Sequence, residues 1–86
     1  MKNKVLVNLL VPEIDLQFDI YLPINKKIGN IICLLNKSIN ELTDGELVLS
    51  NCNKLYNAFT KELYPSDILL ANTSIRNGTK LILLSK

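Results

Sequence analysis

Apolar residues recur along this chain with two periods. From Lys4 to Val11, KVLVNLLV is rich in β-forming residues, and Val5, Val7, Leu9 and Val11 share one face of an extended strand. PEID, residues 12–15, is a turn signal, because proline presets φ and aspartate caps nearby backbone groups. LQFDIYLP then alternates cleanly. Leu16, Phe18, Ile20 and Leu22 point one way and Gln17, Asp19 and Tyr21 the other, as in a half-buried strand. Two strands joined by so short a turn predict an antiparallel hairpin, which Pro23 ends.

Beyond Pro23 the period lengthens. Asn25 can accept from an early backbone N–H and is the expected N-cap. Ile28, Ile31, Ile32, Leu35, Ile39 and Leu42 follow at three- and four-residue steps, forming one apolar stripe about 100° wide on a helix. Gly29 costs about 1 kcal/mol against alanine within a helix, and the stripe outweighs it. Cys33 falls opposite the stripe and Leu34 on its flank. Thr43, Asp44 and Gly45 stop the helix. The next stretch carries short β-like pieces at residues 47–49, 54–58 and 62–64. A helical turn capped by Ser66 or Asp67 follows, then a turn at Arg76, Asn77 and Gly78, where Asn and Gly tolerate positive φ. Residues 79–84 form the last strand. With no linker, repeat or low-complexity segment, residues 1–86 read as one domain.

This order constrains the architecture to the α+β class. One amphipathic helix must bury its stripe against a sheet, and the hairpin supplies part of it. The last strand is too apolar for an exposed edge, so it belongs in the middle, beside the first strand. A helix-containing crossover between these two makes them parallel. The expected fold is the β-grasp, or ubiquitin-like, arrangement: a mixed sheet of four to five strands packed on one helix.

YLPINKKIGNIICLLNKSI, followed much later by TSIRNGTKLILL, resembles the EsaB/YukD family. These are small ubiquitin-like proteins encoded with type VII (WXG100-type) secretion systems of Gram-positive bacteria. The matching features are a strand ending in Leu-Pro, the Ile/Leu stripe, and an ending of the form I-x-N/D-G-x-x-L-x-L-L. KLYNAFTKELYPSD fits the family's short strand pair. The likeness runs from Val5 to Leu84; residues 43–52 fit ubiquitin least and read as an expanded connection. The resemblance implies a cytosolic accessory protein that binds a membrane or ATPase component of the secretion machinery.

Composition narrows the chemistry. Apolar residues make up 48% of the chain, enough for a core and too many for disorder. Ten basic and eight acidic residues are interspersed and form no phosphate-binding stripe, so no nucleic-acid partner is expected. There is no histidine, and Cys33 and Cys52 form no CxxC pair, so neither a metal nor another cofactor is expected. The two thiols read as reduced, although spacing leaves a disulfide open. Neither cysteine has a base partnered to it in any motif, and the carboxylates read as solvated, so the chain is not expected to be an enzyme. The apolar run near the N-terminus is too short to span a bilayer; it reads as the first strand of a soluble, cytoplasmic protein.

A ubiquitin-like modifier or sulfur carrier is expected to end in a flexible diglycine, which lets an activating enzyme reach the carboxylate. The last four residues are instead LLSK, and the EsaB/YukD family also lacks the diglycine. The expectation is therefore docking and not conjugation, with a modifier, a sulfur carrier or a β-grasp regulatory module of another complex as alternatives. If Val5, Val7, Leu9 and Val11 face the helix along with Leu81 and Leu83, then Leu6, Leu10, Ile82 and Leu84 form an apolar patch on the open sheet face. Ubiquitin-like domains generally bind partners there, and a patch of this size suits a protein partner or self-association. The alternatives are that residues 43–52 cover it, or that these are scattered surface aliphatics. Tyr21, Tyr56 and Tyr64 are expected to be half-buried with wet hydroxyls, or to form the rim of that patch.

Overall fold

A computed structural model describes residues 3–42 and 54–84 of the chain. The expected helix stop at residues 43–45, the strand at 47–49 and the connection 43–52, Cys52 included, lie outside the described residues.

Strands β1 (Lys4–Val11) and β2 (Leu16–Pro23) form the expected hairpin, with Leu9 opposite Phe18 and Leu6 opposite Tyr21. Pro12–Ile14 makes a single 3-10 turn between them. It closes on Asp15, whose left-handed backbone (φ 51) reverses the chain and whose N–H donates to the Pro12 carbonyl. Aspartate is among the few non-glycine residues that visit this region routinely. Helix α1 (Ile28–Leu42) follows, then β3 (Lys54–Asn57), a 3-10 turn at Leu70–Asn72, and β4 (Lys80–Leu84). The strand order is β2-β1-β4-β3, with β1 and β4 parallel and both outer pairs antiparallel. This is the mixed sheet and single helix expected from the element order.

The core lies between sheet and helix. Val7, Leu9 and Val11 of β1, Leu81 and Leu83 of β4 and Leu55 of β3 are buried with Ile28, Ile31, Leu35 and Ile39 of α1. Each such side chain contributes about 1.5–3 kcal/mol of transfer free energy. Ile32 is buried too, whereas Cys33 is an exposed free thiol and Leu34 is exposed, as the helical period required.

The helix start differs from expectation. The Ile31 N–H donates to the Lys27 carbonyl, which makes Lys27, not Asn25, the residue that opens the helix. The first free donors are satisfied from far along the chain: Ile28 N–H bonds the Ile68 carbonyl and Gly29 N–H the Ser66 carbonyl, each at 2.9 Å. Leu70 N–H and Ala71 N–H return bonds to the Lys26 and Ile24 carbonyls. A Cβ on Gly29 would come within 3.2 Å of the Ser66 oxygen, so glycine here permits the close approach that makes this cap. Ser66 and Asp67, expected to start a helical turn, form a plain turn beside the start of α1, and the 3-10 turn comes later, at Leu70–Asn72. Residues 62–64 form no strand beyond the single bridge of Leu63 to Tyr56.

Tyr64 departs from the expected wet hydroxyl. It is 3% exposed, and its hydroxyl accepts from Asn57 Nδ2 at 3.0 Å and shares a bond with Ser74 Oγ at 3.1 Å. Before β4, Thr79 N–H bonds the Arg76 carbonyl across a turn in which Gly78 takes φ 88, as the third position of a type II turn requires. Gly78 N–H also donates to the Leu6 carbonyl at 2.8 Å, and the Asn77 side chain accepts from Leu6 N–H at 2.9 Å.

Replacing Gly78 by alanine should destabilise the fold by about 1–2 kcal/mol, although its Cβ would meet open space. Asparagine there should cost less. Urea denaturation of the two variants measures both, and equal costs would show that backbone strain is not the cause. Tyr64→Phe should cost about 1 kcal/mol in the same assay, because Asn57 and Ser74 lose a partner that the protein interior holds in place.

Candidate protein-binding face

The sheet has one face on the helix and one turned away from it. On β1, β4 and β3 the buried residues alternate with half-buried ones, and strand register decides which of the latter meet. Leu10 lies opposite Ile82, Ile82 opposite Tyr56, and Tyr56 opposite Leu63. Directly opposed residues share a face with Cβ atoms about 5 Å apart. These four side chains therefore form one apolar row across the sheet, spanning three strand spacings or about 14 Å. Gln17, opposite Leu10, closes one end.

Of the four residues expected to make a patch, three gather at this row. Leu10 and Ile82 lie in it, and Leu84 is two residues further along β4, opposite Lys54. Leu6 stands apart. It is four residues from Leu10, about 13 Å along the strand, and opposite Tyr21. Between Leu6 and Leu10 is Asn8, bound into a polar cross-strand bridge: Gln17 Nε2 donates to Asn8 Oδ1 at 2.6 Å, and Asn8 Nδ2 donates to Asp19 Oδ1 at 3.0 Å. The four leucine and isoleucine side chains thus form a contiguous group of three and a separate Leu6–Tyr21 pair.

Two residues of the row were not expected there as aliphatic or aromatic anchors of the patch. Tyr56, expected to be half-buried with a wet hydroxyl or to lie at the rim, is half-buried and lies inside the row. Leu63, 45% exposed, was assigned to a strand but not to this face. Its position follows from a hairpin that Asn57 organises. Asn57 N–H bonds the Glu62 carbonyl, Tyr64 N–H bonds the Leu55 carbonyl, and Asn57 Oδ1 accepts from the N–H groups of Phe59 and Thr60 at 2.8 and 3.0 Å. Lys61 completes the reversal in the left-handed region, φ 63. The turn presents Phe59 at its tip, 75% exposed, with the Lys80 ammonium 5.9 Å from the ring centroid. NAF is a legible Asx-turn sequence, but the register that sets Leu63 beside Tyr56 depends on pairing.

Charge frames the row unevenly. Lys80 precedes Ile82 on the same face, and Lys54 sits opposite Leu84, so both long sides carry a lysine. The acid on this face, Asp19, lies at the far β2 side, held by Asn8. Among the described residues, no three His, Cys, Asp or Glu side chains gather where they could hold a metal ion. Among them, too, no helix is long and apolar enough to cross a membrane. The face carries apolar side chains in its centre, with Tyr56 among them, and lysines at its margin.

Neither protein-family models nor curated proteins match the sequence. Solved structures do match in shape. The ubiquitin-like domain of EccD5 from Mycobacterium xenopi superposes with a TM-score of 0.74 at 17% identity, over 94% of this chain and 92% of that one. A chain of a toluene 4-monooxygenase complex gives a TM-score of 0.71 at 10% identity, over 93% and 95%. A chain of the MycP5-free ESX-5 inner membrane complex gives 0.68 at 16% identity over 95% of this chain, which spans only 21% of that larger one. Identities this low establish the fold alone, and with the observed sheet order they establish it as the ubiquitin-like β-grasp.

Proposed function

We propose that this chain is a non-catalytic, ubiquitin-like accessory component of a bacterial type VII secretion system, acting by docking onto a protein partner and not by conjugation. The observation that carries the docking reading is the apolar row Leu10–Ile82–Tyr56–Leu63 with Leu84 beside it and Lys54 and Lys80 at its sides. Leu6 contributes as a separate contact beside Tyr21. A central aromatic within an aliphatic row has the composition of a binding hot spot. Marginal lysines speed encounter with an acidic partner surface without requiring a buried charge.

The secretion assignment has two supports. One is the EsaB/YukD resemblance of the sequence. The other is the structural likeness to EccD5's ubiquitin-like domain and to a chain of the ESX-5 complex, both components of type VII machinery. The partner in this reading is a membrane or ATPase component, which would place the protein in the cytoplasm, at the membrane surface only through that partner. A second reading is a β-grasp regulatory module in an unrelated complex, favoured by the likeness to a toluene 4-monooxygenase complex chain. Gene neighbourhood separates the two: WXG100 proteins and an FtsK/SpoIIIE-type ATPase beside the gene support secretion, whereas an oxygenase operon supports the alternative.

The docking face is tested with Leu10→Asp and Ile82→Lys, singly and together, against the purified ATPase and membrane components encoded nearby. Calorimetry should show at least about a tenfold loss of affinity for each single variant, or about 1.4 kcal/mol, with melting curves close to those of the parent. Undiminished binding by the folded double variant would remove this face from the mechanism. Mass spectrometry that finds the C-terminus in an isopeptide, adenylate or thiocarboxylate would replace docking with conjugation.

A further inference from the structure

The sheet has two edges, and the described residues treat them differently. On the β3 side the edge is closed. Asn57 N–H and the Leu55 carbonyl, which point away from β4, are bonded by the Glu62 carbonyl and Tyr64 N–H of the returning chain. On the β2 side no strand among the described residues pairs beyond it. Its free groups can be identified from hydrogen-bond parity. Ile24 N–H donates to the Asn3 carbonyl at 2.9 Å, which makes 3 and 24 a hydrogen-bonded pair. Alternation along the antiparallel register then assigns Leu22, Ile20, Phe18 and Leu16 to the bonds with β1. The same parity leaves Leu6 and Asn8 of β1 free to bond toward β4. Their observed bonds to Asn77, Gly78 and Thr79 agree. Gln17, Asp19 and Tyr21 therefore aim both N–H and carbonyl out of the sheet, and Pro23 adds a carbonyl without a donor.

Eight residues in unbroken register with no bulge make a long open edge. Edges of this kind are usually blunted by lysine, by central proline or by a covering segment. Here β2 has no lysine and its proline comes last. Its two sides differ in character. Leu16, Phe18 and Ile20 face the helix side, only half-buried against the core, while Gln17, Asp19 and Tyr21 are exposed on the other. An added strand would complete the cover of the first three with its own alternate side chains.

We infer that the β2 edge is a second binding site, which takes an extended segment of a partner protein by strand addition. The segment carries aliphatic residues at alternate positions, packing beside Phe18 and Ile20, and a lysine or arginine opposite Asp19. Strand addition draws affinity from main-chain bonds and specificity from alternate side chains. Asp19 also argues against a second copy of this chain as the occupant. A two-fold pairing centred on Asp19 sets two carboxylates opposite one another, and like charges so placed repel. Shifting it toward Pro23 sets that donorless residue opposite Gln17, and shifting it the other way runs Tyr21 against Asp15, beyond the strand and left-handed. The edge is distinct from the apolar row, so it does not depend on the docking face proposed above.

The test is selection of a random peptide library displayed on phage against the full chain, followed by amide hydrogen exchange of the chain with each selected peptide. The expected binders alternate aliphatic and polar residues with a central lysine or arginine. They should slow exchange of the Gln17, Asp19 and Tyr21 amides by at least about tenfold, since newly bonded amides exchange only when the bond opens. Asp19→Lys, which keeps the backbone donors, should weaken those peptides and select acidic ones in a repeat experiment. Tyr21→Pro removes one outward donor and should weaken binding at unchanged peptide sequence; its melting curve checks that the hairpin persists. The site is ruled out if no peptide is selected, if selected peptides leave the three amides exchanging as in the free chain, or if those amides are already protected by self-association.

Discussion

The parallel pairing of β1 with β4 is the constraint on which the rest of this fold depends. Two parallel neighbours cannot be joined by a tight turn, so most of the chain serves as their crossover. Closing that crossover costs conformational entropy that grows only slowly with its length, and the structure offsets it at a few points. The Arg76–Thr79 turn fastens to β1 through Gly78 N–H, the Asn77 side chain and the Thr79 carbonyl before β4 begins. Leu81 and Leu83 then enter the core between Leu9 and Leu55. Positive φ at Gly78 lets one turn reverse the chain and donate to Leu6 at the same residue.

The same pairing builds the apolar row on the outer face of the sheet. Leu10 and Ile82 are 72 residues apart in sequence and lie side by side only because β1 and β4 align as they do. Adding β3 and the Asn57-organised hairpin extends the pair into a row that ends at Leu63. A slip of one residue in either ladder would turn the row into the core and the core into solvent, since side chains alternate strictly. The buried leucines on the helix side therefore also fix what the outer side displays. Asn8, Gln17 and Asp19 mark where the apolar row stops.

A second long-range contact locks the helix in place. Its first N–H groups end on carbonyls of Ser66 and Ile68, and the segment before it exchanges bonds with Leu70 and Ala71. The helix start and the loop before β4 are one unit, which is why Gly29 lies where a side chain would crowd Ser66. Among the described residues, one sheet edge is closed by the chain's own return at residues 62–64, and no further strand pairs with β2 at the opposite edge.

Local sequence determined much of this. Period-two alternation gave both strands of the hairpin and the facing of every residue on them. Helical period gave the buried stripe of α1 and the exposure of Cys33, and the Asn-Gly pair gave the last turn. Element order, through the rule that a helical crossover joins parallel strands, gave the fold. These signals are local because each depends on neighbours within a few positions. What tertiary structure decided depends on residues distant in sequence. The cap of α1 moved from Asn25 to backbone carbonyls some forty residues on, as no side-chain pattern records a main-chain acceptor. Tyr64 became a buried, bonded hydroxyl once Asn57 and Ser74 converged on it. Leu6 parted from Leu10, and Tyr56 and Leu63 joined it, because outward facing is set by alternation within a strand whereas adjacency is set by register between strands.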